Sequence, residues 1–180
     1  MSEQKKTNTK AQAASKEVIE EKNPNTTVEK IVPKDIDIHQ YITVRNGFQG
    51  RLVYKSKRTS EVTIWEEFGE PQDIELQELK NAKTANKKFF INNWFMFDED
   101  WIIDYLGVGQ YYKNAVSIED FDNLFDQPVN ELTKIVDGMS AGQKRSVAYR
   151  ARRLIAEDRL DSIKKIHALE GVLGVELIEK

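Results

Sequence analysis

Apolar and polar positions follow three regimes along this chain. Residues 1 to 34 carry Lys, Glu, Gln, Asn, Thr, Ala and Ser and no aromatic residue. A segment of this kind buries too little apolar surface to offset its ordering entropy. It is expected to be a disordered tail with one short helix near Ala11–Glu21, interrupted at Asn23-Pro24-Asn25 and closed by Pro33. Such a tail either solubilises the chain or folds on a partner.

From Ile36 the pattern turns to β. Tyr41-Ile42-Thr43-Val44, Leu52-Val53-Tyr54 and Val62-Thr63-Ile64-Trp65 are β-branched and aromatic runs, separated by Asn46-Gly47, Gly50 and the polar tip Lys57-Arg58-Thr59-Ser60. These signals predict a meander of three strands, with a fourth short strand at Ile74 and Leu76. Leu76, Leu79 and Ala82 stand at helical spacing within Glu75–Lys87. Lys88–Phe97 reads as a further strand. Asp98–Leu106 reads as a short helix stopped by Gly107, and Gly107 and Gly109 as a loop.

Beyond residue 113 the period is helical. Ser117 caps a two-turn helix to about Phe125. Pro128 opens a helix that turns Val129, Leu132, Ile135 and Val136 inward and ends at Gly138. Ser140 and Gln143 form a capping box for a longer helix to about Glu157. Asp161 or Ser162 caps a last helix with Ile163, Ile166 and Leu169, and Val175–Ile178 reads as a short terminal strand. The expected organisation is a tail at 1–34, a β-rich domain at 35–112 and a helical domain at 113–180. That makes an α+β fold: a small antiparallel β-meander or partial barrel followed by a helical C-terminal unit.

Composition narrows the chemistry. The 180 residues are 39% hydrophobic and 32% charged, with a formal net charge of -3. That charge argues against unspecific polyanion binding by the whole molecule. No cysteine is present, which excludes disulfides, thiolate zinc sites, iron–sulfur clusters and cysteine nucleophiles. The two histidines, His39 and His167, lie far apart and neither has a ligand partner one helical turn away. Asp98-Glu99-Asp100 with Asp104 lacks the spacing of a calcium loop and fits a solvated first turn of a helix. Neither a nucleophile elbow nor a phosphate-cradling glycine motif occurs. No catalytic, cofactor-binding or metal-binding residue is assigned, and the chain is expected not to be an enzyme. No apolar run approaches the length of a membrane span, and the N-terminus lacks the apolar stretch of a signal peptide.

Charge patterning supplies what catalytic motifs do not. Met139–Lys165 holds eight basic residues against three acids, whereas residues 97–137 hold ten acids against two lysines. The leading reading is that these blocks pair, within the chain or between subunits. The second is nucleic-acid binding by Lys144, Arg145, Tyr149, Arg152 and Arg153. There Arg145, Tyr149 and Arg152 follow i, i+4, i+7 spacing, and two capped helices suggest a helix-turn-helix. Residues 89–112 contain nine of the seventeen aromatics. They form either the core or an exposed patch, with Trp94, Phe95, Trp101, Tyr105, Tyr111 and Tyr112 as the candidate protein interface.

Several segments resemble a known group. Thr43-Val44-Arg45-Asn46-Gly47-Phe48, Leu52-Val53-Tyr54-Lys55-Ser56, FFINNWFMF at 89–97, YLGVGQYY at 105–112 and SVAYRARRLI at 146–155 carry the likeness. Together they resemble small bacteriophage- and prophage-encoded proteins of low-GC bacteria, over roughly residues 36 to 180. No activity is attached to that group, so no functional residue transfers. The resemblance implies a phage setting: a structural or interaction component in virion assembly, found in the host cytoplasm or the virion. Its partners would be other phage proteins or copies of itself, with nucleic acid as the alternative and neither membrane nor small-molecule substrate.

Overall fold

A computed structural model describes Pro33 and residues 35–178 of the chain. The tail expected at 1–34 lies outside the described residues, Pro33 excepted. The fold is α+β. Strand β1 (Tyr41–Asn46) turns Ile42, Val44 and Asn46 inward in strict alternation. Strands β2 (Leu52–Lys55) and β3 (Val62–Trp65) form a hairpin, with Leu52 opposite Trp65 and Lys55 opposite Val62. Strand β4 (Pro71–Glu75) and strand β5 (Phe95–Phe97) flank β1 on its two edges, both antiparallel.

The pairing therefore differs from a run of three consecutive strands. Asn46 explains why. Its amide nitrogen donates to the Gly50 and Glu67 carbonyls at 2.8 and 2.9 Å, and its side-chain oxygen accepts from Phe48 N–H at 2.8 Å. This fully buried side chain turns the chain away after β1, and β4 and β5 take the edges that β2 would need. The two sheets still share a core. The indole of Trp65, wholly buried, donates to the Val44 carbonyl at 2.9 Å across from β3 to β1.

Helix α1 (Leu76–Ala85) buries Leu76, Leu79 and Ala82, as their spacing predicts. Residues 88–97 are not one strand. They form a single helical turn α2 (Lys88–Ile91), a bend at Asn92-Asn93 with Asn93 at φ +52°, and then β5. The turn sends Phe90 inward while Phe95 enters from the strand, so both rings are buried in one core. Helix α3 (Asp100–Leu106) ends at Gly107 in the left-handed conformation, φ +63°. A short helix α4 (Gly109–Tyr112) follows where a loop was expected.

In the last third, Ser117 Oγ accepts from Asp120 N–H at 3.1 Å, as a cap should. The chain then makes turns and a 3₁₀ segment at Asp122–Asp126 in place of a two-turn α-helix. Helices α5 (Val129–Gly138), α6 (Ala141–Ala156) and α7 (Ile163–Leu173) fall where capping residues place them. Ser140 and Ser162 accept from the N–H groups of Gln143 and Lys165. No strand forms at 175–178. Leu177 is buried there, and its N–H donates to Glu170 Oε1 at 2.8 Å, which a strand pairing would have to break.

The turn after α6 has no glycine, yet it closes in the way glycine usually allows. Asp158 adopts φ +54°, Arg159 N–H reaches the Leu154 carbonyl at 2.8 Å and Asp158 N–H the Ile155 carbonyl at 3.1 Å. This is the Schellman arrangement. An L-residue with a Cβ is strained in that conformation, Asp less than most. Asp158→Gly is expected to raise the unfolding free energy by about 0.5 kcal/mol, measured by urea denaturation.

Two hydrophobic clusters organise the chain. One draws its buried residues from Ile42 to Val108, the other from Phe121 to Leu177. Phe68 crosses over to the second, its ring 4.8 Å from that of Phe121. Between the clusters runs a polar seam. Ser146 Oγ donates to the Gly47 carbonyl at 3.1 Å and accepts from Gln49 N–H at 3.3 Å. Gln143 does not close its capping box. Its side chain clasps the backbone of Val116, donating to the carbonyl at 2.8 Å and accepting from the N–H at 3.2 Å.

Candidate interaction site

Helix α6 has two faces with different fates. Gly142, Gln143, Ser146, Val147, Ala151 and Leu154 are buried against the seam and the second cluster. The basic residues divide between the flanks. Arg150 is engaged with the acidic block: Nε and Nη2 reach Asp122 Oδ1 and Oδ2 at 2.8 and 2.5 Å. The hydrogen bond to this carboxylate, set against partial burial, raises the Arg150 pKa above its ordinary value. Lys144 Nζ stands 3.6 Å from Asp137 Oδ1, a second link from α6 to the acidic block. Pairing of the opposite blocks within the chain thus occurs at these two positions.

The five residues of the nucleic-acid reading are not equivalent. Lys144 is tied to Asp137. Arg153 pairs with Glu157 one turn on, at 3.3 Å. Arg152 Nη2 donates to the Glu176 carbonyl at 2.7 Å. Arg145 is exposed and has no ion pair or hydrogen bond with another described residue. Tyr149 is half exposed. Arg145, Tyr149 and Arg152 do converge. Together with Phe48, Gln49, Ala148 and Val175 they line a cleft of about 300 Å³. Its floor is apolar and its rim carries two guanidiniums.

A second cleft, about 520 Å³, adjoins it and shares Gln49 and Tyr149. Its wall differs in charge: Glu66, Glu67, Glu119 and Asp122 face Arg150 and Arg153. Glu66 pairs with Arg51 at 3.2 Å, and Glu67 is exposed with no ion pair to a described residue. Tyr149 therefore stands as a ridge between a basic cleft and an acidic one. No protein-family model, curated protein or solved structure matches this chain.

The aromatic segment serves the first cluster. Phe95 has no exposed surface, which corrects its place in the candidate interface: four rings, Tyr54, Trp65, Phe89 and Phe90, lie around it at 4.7–5.6 Å. Tyr112 donates its hydroxyl to the Phe95 carbonyl at 2.7 Å, and burial pushes its phenol well above the ordinary range. Trp94 is partly buried and meets Phe48 and Phe89 edge-on. Trp101 and Tyr105 contact each other at 6.2 Å, with Lys80 over the Tyr105 ring; Lys87 lies over Tyr111. All of these partly buried rings pack against the first cluster.

A buried carboxylate with a lowered pKa lies elsewhere. Glu78, nearly buried, accepts from Tyr54 Oη at 2.5 Å and from Arg58 Nε at 3.2 Å. Burial alone would push its pKa up. The hydrogen bonds from Tyr54, Ser56 and Arg58 outweigh that and hold it below its ordinary value. Arg58 also reaches Glu75 at 3.2 Å, and Glu75 meets His39 Nδ1 at 2.6 Å. This chain of contacts ties the hairpin tip to α1. Among the described residues, no group of three or more metal-type ligands occurs and no helix is long and apolar enough to cross a membrane.

Phe48, Gln49, Val175 and Glu67 complete the clefts and were not singled out from sequence. No local signal marks them. Their role depends on chain crossings such as the bond from Gln49 to Ser146, ninety-seven positions apart.

Proposed function

We propose that this chain is a non-enzymatic interaction protein that docks a partner on the outer face of α6. One observation carries the reading: Arg145, Tyr149 and Arg152 converge on an apolar cleft that the fold does not fill. The rest of the helix has internal work. Its inner face seals the seam, and Arg150 and Lys144 hold the acidic block. The non-enzymatic part is supported by where the buried acid and phenol with shifted pKa values sit. Glu78 and Tyr54 satisfy each other in a network that joins the hairpin to α1, and neither lines the two clefts. The setting proposed is the one the resemblance implies, a component of a phage-type assembly.

The test places a photo-crosslinking benzoylphenylalanine at position 149, in cells expressing the chain. Discrete protein adducts are expected, lost when Arg145 is changed to Glu. The control position is Tyr41, the more exposed of the two at 73%. Equal adducts from both positions, or adducts that persist in Arg145→Glu, would contradict the proposal.

A further inference from the structure

The two clefts beside Tyr149 have opposite charge, and that limits what can lie across them. We infer that they take an extended peptide segment of mixed charge: an apolar residue next to an Asp or Glu in the basic cleft, and a Lys or Arg a short way along the segment in the acidic one. The inference rests on the docking face proposed above and names its partner.

The basic cleft explains the first part of the motif. Phe48, Ala148, Val175 and the Tyr149 ring offer apolar contact, with Arg145 and Arg152 on either side. Arg145 is uncommitted among the described residues, and Arg152 spends one nitrogen on the Glu176 carbonyl. Guanidinium groups flanking an apolar slot suit a carboxylate beside an apolar side chain, because the fork geometry matches the two oxygens. Val175 is 41% exposed and Tyr149 50%, so occupation of the slot would remove apolar surface that folding leaves wet.

The acidic cleft supplies the second part. Its two arginines are already paired, Arg150 with Asp122 and Arg153 with Glu157. Glu67 keeps a free carboxylate among the described residues. A cation reaching this cleft gains, and an anion is repelled. The two clefts share Gln49 and Tyr149, so one short extended segment reaches both.

The same adjacency argues against a nucleic-acid strand. A strand with phosphates on Arg145 and Arg152 would continue over Tyr149 onto Glu66, Glu67 and Glu119. Its phosphates would then lie beside those carboxylates, inside the screening length of about 8–10 Å at physiological salt, and be repelled. A peptide can change sign between the two clefts; a phosphodiester backbone cannot.

The experiment pans a random heptapeptide display library on the full chain, with parallel panning on Arg145→Glu and Glu67→Lys. Both side chains are exposed, and thermal melting should confirm that both variants fold. Enriched peptides are expected to pair an apolar residue with Asp or Glu and to carry Lys or Arg elsewhere in the heptamer. A selected peptide should bind Arg145→Glu about tenfold more weakly or worse, and Glu67→Lys a few-fold more weakly. Enriched peptides without the acid, or with undiminished binding to Arg145→Glu, would overturn the inference. Self-association through the same face, lost in Arg145→Glu, would also overturn it. If no peptide is enriched while an oligothymidine binds through Arg145, the peptide class fails but the docking face stands. If neither probe binds and position 149 yields no adduct, the docking face fails as well.

Discussion

Alanine at Gly142 is expected to destabilise the protein by about 3 kcal/mol or more, or to prevent folding. A Cβ there would stand 2.1 Å from the Asn92 carbonyl oxygen and 2.5 Å from the Asn92 Cβ. Neither atom is the far end of a flexible side chain, so the clash must be relieved by moving backbone. The Asn92-Asn93 bend has little freedom to move. Gly47 presses on its other side, with its own Cβ position 2.0 Å from the Asn93 carbonyl oxygen, and Gly47 N–H donates to the Trp94 carbonyl at 2.8 Å. The bend is thus wedged between the end of β1 and the start of α6, where the two clusters meet. Gly171 in α7 is the matched control. A Cβ there meets nothing within 4 Å, so Gly171→Ala should stabilise the protein by about 0.5–1 kcal/mol through helix propensity. Urea unfolding of the two variants checks the opposite signs.

Loss of the Glu78 carboxylate has the second largest expected effect. Glu78→Ala should cost about 2–3 kcal/mol. Most of that comes from the Tyr54 hydroxyl, which is buried and would lose its acceptor. Arg58 contributes less, because it is nearly half exposed and can return to water. Tyr54→Phe removes the phenol together with its need for a partner and should cost only about 1 kcal/mol. The pH dependence has a definite sign. Glu78 titrates below its ordinary value in the fold and near that value when unfolded, so the unfolded chain binds the proton more readily. Its contribution is complete above the titration range of the unfolded carboxyl and is lost as the pH falls through the folded value. Stability measured between pH 3 and 6 (on the order of the carboxylate range) should fall more steeply in acid for the native chain than for Glu78→Ala.

How much of this was legible in the sequence depends on how local each cause is. Helices α5, α6 and α7 could be placed because Pro128, Ser140 and Ser162 act within one turn of their own position. Strand β1 was legible for the same reason, but its pairing was not. The edges of β1 go to β4 and β5 because Asn46 bonds Gly50 and Glu67, which no local pattern announces. The stretch 88–97 misled because its apolar density suits a strand, while the buried Asn93 bend is decided by what packs around it. Nothing local in the sequence marks Gly142 as constrained; only the approach of Asn92 explains it. The spacing of Arg145, Tyr149 and Arg152 was visible on the helix. The cleft they face was not, because Phe48 and Val175 reach it from distant parts of the chain.

Two arginines on one helix divide the account most sharply. Arg150 belongs to the fold through its two contacts with Asp122, and its side chain is 15% exposed. Arg145 belongs to the docking face and is exposed, five residues away. The unfolding free energies of Arg145→Ala and Arg150→Ala, measured side by side, test that division. Arg150→Ala should lose about 1 kcal/mol, the upper range for an ion pair with partial exposure, and Arg145→Ala less than about 0.3 kcal/mol. Equal losses, or a larger loss at Arg145, would show that the outer face of α6 holds the fold together, and would contradict its assignment to a partner.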